Sequence, residues 1–278
     1  MPKVTTKIAK VLAALGVDPG LPTAELVHLF SHTNSGKPRN ILGSGTKTDK
    51  GEKLDVLTFV LYLSASDRAG INTCPWAGDC AKACLGFTTG RLVYTQSQKA
   101  QVFKTLWFHL DRDGFIARLN HEIARAELQA MAKGMQCAIR LNGASDILWE
   151  RWIDMASMPN VQFYDYTKAR ASTRAHRAAN YHLTFSLDEK QNSMQWAREW
   201  LAHGSNVAVV VAGETDTLRD AKLAAASLIG SEWHGYPVLD GDETDVRFYD
   251  EPGHWVALYA KGSKALTDRS GFVQRIAS

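Results

Sequence analysis

The sequence lacks the features of membrane proteins and of disulfide-stapled proteins. Its longest apolar stretches, residues 56–63 and Val207–Ala212, fall far short of the roughly 20 residues that a membrane-spanning helix needs. The amino terminus carries lysines but no apolar region followed by a small-residue cleavage site, so we expect no secretion signal. Four cysteines in 278 residues are too few for a disulfide framework. These absences predict a cytoplasmic protein that has no membrane contact.

The chain also has little excess of either charge. Its 32 Lys and Arg residues against 29 Asp and Glu give a net charge of +3, which is too weak to establish a nucleic-acid partner by electrostatics. Such a partner stays open but is not indicated, and the ligand is an unknown small molecule or macromolecule. Apolar residues make up 45% of the chain. This fraction is enough for a large folded core and excludes a disordered protein.

The first 53 residues differ in pattern from the rest. Apolar residues recur at helical spacing from Ile8 to Leu15, and a second short helix is predicted shortly after them. Residues 31–53 are rich in Gly, Lys, Asn, Ser and Thr, which is a loop composition. We therefore divide the chain into a helical amino-terminal extension with a basic loop, residues 1–53, and a main domain, residues 54–278.

From residue 54 onwards, apolar strand-like runs alternate with amphipathic helical stretches. Near-continuous apolar runs such as VAVVV are typical of parallel strands buried on both faces. The predicted strands are 56–64, 137–141, 161–166, 182–186, 207–211, a short one at Val238, 246–249 and 255–260. The predicted helices are 94–110, 115–131, 147–158, one through Met194 and Leu201, and 217–229. The alternation predicts an α/β fold: a partial or irregular (β/α) TIM-like barrel, or alternatively an open doubly wound sheet.

Three of the cysteines lie in one loop after the first predicted strand. Cys74, Cys80 and Cys84 have the spacing CxxxxxCxxxC, and the last two would share one face of a helical turn. Three soft thiolates suit an iron–sulfur cluster, or zinc if a fourth ligand is recruited. The alternative is a set of small buried cysteines or a disulfide pair. A cluster held by three cysteines would leave one iron for solvent, an oxygen or nitrogen side chain, or a substrate.

Cys137 is the obvious fourth ligand, but its place in the chain argues against it. It begins a predicted strand, whereas the cysteine loop follows the end of another strand. In parallel strands these two ends lie at opposite rims of the sheet, separated by roughly 15 Å. We therefore expect the three other cysteines to act without it.

A series of sequence phrases gives the chain a family resemblance: CPWAGDCAKACL, RLNGASDILWE, FYDYTK, NYHLTFS and LDGDETDVRFYD, in this order. On these phrases the region from about residue 54 to residue 262 is identified as a member of the bacteriophage gene product 88 family. The resemblance implies an iron–sulfur cluster, taken as 4Fe-4S, at Cys74, Cys80 and Cys84 on a barrel-like α/β scaffold. A phage-encoded chain would work in the cytoplasm of its host.

In outline the arrangement is also similar to radical S-adenosylmethionine enzymes. These enzymes combine a partial barrel with a three-cysteine cluster whose fourth iron site binds the cofactor. They typically have the spacing CxxxCxxC, whereas this chain has CxxxxxCxxxC. The resemblance therefore lends S-adenosylmethionine only weak support as a cofactor.

Polar side chains follow two of the predicted strands. Arg140, Asn142 and Asp146 lie at the end of AIRLNGASD, and Lys168 ends QFYDYTK. Such groups at the rim of a parallel sheet could hold a polar or anionic ligand near the cysteines. The structural alternative for Asp146 is an ordinary helix cap, with Glu150 on the same face of the following helix.

Three further features have both a structural and a functional interpretation. A buried Asp165 needs a partner, for which Arg140 or Lys168 is available. His182 could be a non-cysteine metal ligand, although a single strand histidine is more often a hydrogen-bonded core residue. The acidic run at residues 239–245 could bind a hard cation but is equally good turn chemistry.

These observations support two functions from different classes. The first is an iron–sulfur protein with redox or radical chemistry on a ligand held by the four polar strand-end residues. The second is a non-catalytic, metal-stabilised protein that binds a host or phage macromolecule. The occupant of the fourth coordination site separates them, because a protein ligand there favours a structural role and an exchangeable ligand favours an enzyme.

Overall fold

The computed structural model describes residues 3–43, 49–84 and 90–277. Its helices are α1 (Thr6–Ala14), α2 (Thr23–Ser31), α3 (Asp49–Glu52), α4 (Thr95–Leu110), α5 (Arg112–Ala132), α6 (Ser193–Ala202), α7 (Leu218–Leu228) and α8 (Ser263–Leu266). Its strands are β1 (Leu42–Gly43), β2 (Val56–Leu61), β3 (Gln136–Arg140), β4 (Val161–Thr167), β5 (Tyr181–Ser186), β6 (Val207–Ala212), β7 (Glu232–Trp233), β8 (Tyr236–Asp240), β9 (Trp255–Tyr259) and β10 (Val273–Arg275). Part of the predicted basic loop, residues 44–48, lies outside the described residues. No described helix is both long and apolar enough to cross a membrane.

The strands form one ten-stranded, mostly parallel sheet in the order β1-β2-β3-β4-β5-β6-β9-β8-β7, and β10 pairs with β6. The edge strands β1 and β7 pair antiparallel with their neighbours. No strand pairing among the described residues joins one edge to the other, so the sheet is open and a closed barrel is not formed. The prediction of an α/β fold with parallel strands is confirmed.

The two faces of the sheet have different partners. On one face, Ile139, Val209 and their alternate neighbours pack into a single core with α1, α2, α4, α5, α6 and α7. On the other face, Ala138 and Tyr164 pack against Val246 from the segment after β8. The longer described helices therefore cover one face of the sheet, and the opposite face is left to line a cavity.

The amino-terminal helices belong to the same core as the sheet. Thr5 caps α1 by accepting a hydrogen bond from the N–H of Ile8 at 3.3 Å. Ile8 and Leu12 are fully buried. The ring centres of Phe30 in α2 and Phe103 in α4 are 5.1 Å apart. The two predicted helices are confirmed, and each such buried side chain stabilises the fold by about 1.5–3 kcal/mol.

A short strand near the carboxyl terminus shapes the space beside the cysteine loop. The first two residues of β6 pair with β5, and its last three residues pair with β10 instead. β5 and β6 therefore diverge towards their carboxyl ends. Phe272, directly before β10, lines the cavity that this divergence opens.

The prediction of a helix over residues 147–158 is wrong. This stretch forms two short 3-10 turns, Trp149–Arg151 and Met155–Ser157. The side-chain oxygen of Asn142 accepts a hydrogen bond from the N–H of Ile147 at 2.9 Å, and this side chain offers the backbone an alternative to the helical hydrogen bond. The buried apolar residues of this stretch, which recur at helical spacing, pack into the core from within a loop and not from one face of a helix.

The strand predicted for residues 246–249 is also wrong. Arg247–Tyr249 forms a 3-10 turn, which the hydroxyl of Thr244 supports by accepting a hydrogen bond from the N–H of Val246 at 3.1 Å. The strands β1, β7 and β10 were not predicted, because two or three residues are too few to display an alternating pattern.

Candidate functional site

The three loop cysteines and the four strand-end residues that the sequence predicts for the site line one cavity of about 630 Å³ at the carboxyl ends of the strands. These residues are Cys74, Cys80, Cys84, Arg140, Asn142, Asp146 and Lys168. The cysteine loop, the ends of β2 to β6, β9 and the segment before β10 bound this space, the cysteine cavity. Small apolar side chains, among them Val60, Ala208, Val210 and Leu258, form much of the remaining wall.

Cys74 is fixed by the hydrogen bonds of its own loop. Its N–H donates to Oδ1 of Asn72 at 2.9 Å, and its Sγ accepts from the N–H of Ser66 at 3.4 Å. The hydroxyl of Thr73 donates to the carbonyl of Ser64 at 2.6 Å and so ties the loop to the end of β2. Burial raises the pKa of the Cys74 thiol to about 11. Without a nearby cation this thiol therefore stays neutral at physiological pH.

Cys80 lies in the 3-10 turn Asp79–Ala81, which the loop after β5 holds in place. Oε1 of Glu189 accepts a hydrogen bond from the N–H of Asp79 at 2.8 Å. The ammonium group of Lys190 donates to the carbonyl of Trp76. We call Glu189 and Lys190 the loop clamp. Burial raises the pKa of Cys80, and the positive charge of Lys168 opposes this rise.

A side chain at Gly78 is expected to weaken the loop clamp. A Cβ at this position would lie 1.8 Å from Oε1 of Glu189, so Gly78→Ala must push the carboxylate away from the N–H of Asp79. We expect a loss of about 1–2 kcal/mol in the free energy of unfolding, measured by urea denaturation. At Gly43 a Cβ meets nothing within 4 Å, so Gly43→Ala is the matched control.

A double-mutant cycle separates this contact from a general backbone effect. If the clash with Glu189 causes the loss, Gly78→Ala should cost less in a Glu189→Ala background than in the wild type. Equal costs in the two backgrounds would contradict the proposed role of the clamp.

The thiols share the cavity but are not arranged as a finished metal site. The cysteines are thiols rather than disulfides, so the disulfide alternative is not formed. Within the described residues, no group of three or more His, Cys, Asp or Glu side chains is placed to hold a metal ion. Cys84 lies near enough to Cys74 that a negative charge on the Cys84 sulfur would raise the pKa of Cys74 further. A shared metal centre would have to draw the sulfur atoms closer together.

Cys137 lies apart from the other cysteines. It is buried in the core on the helix-covered face of the sheet, and burial raises the pKa of its thiol to about 12. This position agrees with the expectation that Cys137 is not the fourth ligand.

Lys168 reaches across the cavity wall to the end of β5. Its ammonium group donates to the carbonyl and the hydroxyl of Ser186 and to the carbonyl of Leu187, each at 3.1 Å. Burial lowers the pKa of Lys168, and a negative charge on the neighbouring Cys80 in its thiolate form opposes this change. Because these three acceptors satisfy the ammonium group, Lys168 mainly provides positive charge beside Cys80.

Asp146 is committed to a buried arginine. Its carboxylate accepts hydrogen bonds from the N–H of Lys168 at 2.8 Å, from the hydroxyl of Thr167 at 2.9 Å and from Arg174 at 3.0 Å. Arg174 is fully buried and also forms an ion pair with Glu150, in which Nη1 of Arg174 lies 2.6 Å from Oε2 of Glu150. Asp146 and Glu150 therefore share an arginine, whereas the sequence suggested that they share the face of a helix.

The polar atoms of Asn142 are occupied by the turn that follows β3. Its Oδ1 accepts hydrogen bonds from Ser145 Oγ at 2.9 Å, from the N–H of Ile147 at 2.9 Å and from the indole of Trp149 at 3.0 Å. Its amide nitrogen donates to the carbonyl of Ile147 at 3.0 Å. Asn142 thus lines the cavity while holding the turn together.

Arg140 lies among tyrosines. Its guanidinium is 5.5 Å from the ring centre of Tyr164 and 5.3 Å from that of Tyr166. Its Nε is buried and has no hydrogen-bond partner among the described residues. Burial alone would lower the pKa of Arg140, but Tyr164 and Asp245 raise it above its usual value, so the group stays charged.

A family model described as gene product 88 matches residues 29–276 of the chain. The chain belongs to the gene product 88 family. The match begins within α2 and runs through β10, so it covers the whole cysteine cavity. No curated protein and no solved structure matches the chain.

In this gene product 88 chain, Asp165 is paired with backbone groups and a tyrosine. It accepts hydrogen bonds from the N–H groups of Leu141 at 3.3 Å and Asn142 at 2.8 Å and from the hydroxyl of Tyr181 at 2.8 Å. The expected ion pair with Arg140 or Lys168 is not formed. Burial raises the pKa of Asp165 to about 7, although the charge of Arg140 and these hydrogen bonds oppose the rise.

The raised pKa of Asp165 predicts how stability depends on pH. The folded protein keeps this carboxyl protonated up to about pH 7, whereas the unfolded chain loses the proton near its usual pKa of 3.8. Between these pKa values the folded state binds more protons, so the contribution of Asp165 to stability decreases as the pH rises, by on the order of a few kcal/mol. We expect the unfolding free energy of the wild type minus that of Asp165→Asn to fall from about pH 4 to about pH 7 and then stay constant.

Taking the difference between these two proteins removes the contribution of other groups. Burial lowers the pKa of His182 to about 4 and raises that of Asp250 to about 6, but both groups titrate in the wild type and in the variant alike. If the unfolding free energy of the wild type minus that of Asp165→Asn grows with pH over this range, Asp165 is ionised in the folded protein and the prediction is wrong.

His182 does not line the cysteine cavity. It lies on β5 four residues before Ser186, which does line the cavity, so the two are roughly 13 Å apart along the strand. Its Nε2 is buried without a hydrogen-bond partner among the described residues. This position does not support a role as a ligand of the cysteine-bound metal.

The acidic run after β8 forms a turn. The N–H of Asp242 donates to Oδ1 of Asp240 at 2.8 Å, and Asp242 forms an ion pair with Lys261. Asp242 and Asp245 both line the cavity. Asp240 therefore serves the turn, as the turn interpretation predicts, and the charge of Asp242 is compensated by Lys261.

Sequence reasoning missed Arg174 and Glu189. Arg174 binds a carboxylate 28 positions away, and Glu189 binds a backbone N–H 110 positions away. Contacts at such separations leave no local spacing in the sequence. The arginine-rich stretch around residue 174 gives no sign that one of its arginines is buried.

Proposed function

We propose that this protein binds an iron–sulfur cluster through Cys74, Cys80 and Cys84, and that the cluster's remaining iron faces a small-molecule ligand in the cysteine cavity. One observation carries the proposal: the three thiols of one loop share a cavity with Arg140 and Lys168. A cluster with an open iron would supply redox or radical chemistry at this place.

The set of donor atoms fits iron and sulfide better than zinc. Structural zinc sites almost always have four protein ligands. The described wall of the cavity provides three thiols and no histidine, and Cys137 lies on the opposite face of the sheet. Each lining carboxylate has a cation beside it: Arg174 for Asp146, Lys261 for Asp242 and Arg140 for Asp245. An iron–sulfur cluster accepts three soft thiolates and leaves its fourth iron to another ligand.

The surroundings of the thiols suit a site that is completed by metal. Buried thiols with raised pKa values stay protonated until a cation favours the thiolate form. The loop clamp holds the turn around Cys80, and Thr73 holds Cys74 to the end of β2. These contacts would position two of the three ligands before the cluster is assembled.

We propose the cytoplasm as the protein's location, because a reducing cytoplasm maintains cysteines as thiols. For a phage-encoded chain this is the cytoplasm of the host. The open sheet, with its longer described helices on one face, would correspond to a partial (β/α) barrel around the site.

Electron paramagnetic resonance of the reconstituted, reduced protein tests whether an iron is open. Adding cyanide or imidazole should change the signal, because an exchangeable ligand at one iron alters the electronic structure of the cluster. S-Adenosylmethionine is the third probe, and a change with it would identify radical chemistry. A signal that no probe changes would show a protein ligand at the fourth iron and overturn the open-site proposal in favour of a metal-stabilised binding protein.

A further inference from the structure

Among the described residues, three cations line the cysteine cavity, and their surroundings differ. Lys168 donates to three oxygens at the end of β5. Lys261 forms an ion pair with Asp242. Arg140, by contrast, takes part in none of the ion pairs among the described residues. Arg140 is therefore the cavity cation whose hydrogen-bonding capacity is least used.

The neighbours of Arg140 hold its guanidinium without satisfying its N–H groups. The rings of Tyr164 and Tyr166 lie 5.5 and 5.3 Å from the guanidinium carbon and attract the cation, but a ring face accepts no ordinary hydrogen bond. Its Nε is buried with no partner. Asp245 lines the same cavity and attracts Arg140 electrostatically. A charged donor without an acceptor is costly. The buried Nε is out of a ligand's reach, but Arg140 also lines the cavity, so the part of its guanidinium that borders this space can take an acceptor from outside the chain.

We propose that Arg140 binds the anionic group, a carboxylate or a phosphate, of the ligand that occupies the cysteine cavity. The guanidinium has a planar, two-pronged geometry that matches either group. The small apolar side chains of Val60, Ala208 and Leu258 form a wall for the uncharged part of the ligand. This inference rests on the proposed function in one respect: the anion would belong to the ligand that lies beside the cysteines. Binding of the anion to Arg140 itself needs no metal.

This proposal separates Arg140 from the other predicted ligand-holding residues. Asn142 has its oxygen occupied by three donors, and Asp146 repels anions and is bound to Arg174. We assign these two residues to positioning of the cavity wall. Arg140 is the residue assigned to contact the ligand.

Calorimetric titration of the full chain with phenyl phosphate and with hexanoate tests the proposal. Arg140→Gln is expected to weaken binding of the preferred probe about tenfold or more, because charge-assisted hydrogen bonds are lost. Arg140→Lys keeps the charge but not the two-pronged geometry, so we expect an intermediate affinity. Arg170, which is exposed, provides the control Arg170→Gln, which should bind like the wild type. The two probes distinguish a phosphate ligand from a carboxylate ligand.

A measurement on the wild type keeps the test independent of how well the variants fold. Phenylglyoxal modifies accessible arginines, and the sites can be mapped by mass spectrometry. The preferred probe should protect Arg140 from modification and leave Arg170 unprotected. Equal modification of Arg140 with and without probe, binding to Arg140→Gln at wild-type affinity, or no binding of either probe to the wild type would each overturn the proposal.

The same titration on metal-free protein distinguishes this inference from the proposed function. A variant with Cys74, Cys80 and Cys84 replaced by serine should still bind the preferred probe through Arg140. If the wild type takes up no iron but this probe still binds, the cluster proposal fails while the anion site stands. If iron binds and the probe does not, the anion site fails alone.

Discussion

Replacing Arg174 by alanine is expected to lower the free energy of unfolding by about 3–5 kcal/mol. Arg174 is fully buried and forms ion pairs with Asp146 at 3.0 Å and with Glu150 at 2.6 Å. Its removal leaves two carboxylates with little access to water and no cation to compensate them. Denaturant unfolding measures the loss, and the exposed Arg170→Ala should cost less than about 1 kcal/mol.

The cause of this loss can be checked by removing the stranded charges. In the Arg174→Ala background, adding Asp146→Asn and Glu150→Gln should recover part of the stability, because neutral amides are cheaper to bury than carboxylates. A further loss on adding the two amides would mean that packing, and not uncompensated charge, explains the effect of Arg174→Ala. A loss below about 1 kcal/mol for Arg174→Ala itself would contradict the buried ion-pair network.

Replacing any one of Cys74, Cys80 and Cys84 by serine is expected to remove most of the iron that the protein retains after anaerobic reconstitution. Hydrogen-bond partners of metal ligands already contribute about 10–100-fold in affinity, so losing a ligand should cost at least as much. The visible absorbance of the cluster and the iron content after desalting measure the effect. The three sites are half-buried, so the serine variants should remain folded.

Cys137 provides the matched control for this series. It is buried in the core on the other face of the sheet, so Cys137→Ala should lower stability and leave the iron content unchanged. An iron content that falls with Cys137→Ala and stays constant in one of the loop variants would require a different set of ligands.

The sequence predicts the site better than it predicts the contacts that hold the site. Polar residues that follow parallel strands meet at one rim, and for this reason the sequence alone predicts that Arg140, Asn142 and Lys168 lie together with the cysteine loop. Long helices such as α4 and α5 were also predictable, because their apolar residues repeat over several turns.

The roles of individual polar residues depended on contacts between distant parts of the chain. Asn142 and Asp146 are suited by type to hold a ligand, but the structure occupies them with the turn after β3 and with Arg174. The stretch 147–158 has helical apolar spacing, yet the Asn142 side chain diverts its backbone into short turns. Side-chain to backbone hydrogen bonds of this kind compete with regular structure and are not visible in hydrophobic periodicity.

The most direct test of the account is a chemical analysis of the wild-type protein. The full chain would be purified without oxygen, reconstituted with iron and sulfide, desalted, and assayed for iron, acid-labile sulfide and zinc. We expect iron and sulfide in equal amounts, with a visible absorbance that disappears in the triple serine variant. Colourless protein without iron, or a stoichiometric zinc content in place of iron, would contradict the central claim that Cys74, Cys80 and Cys84 hold an iron–sulfur cluster.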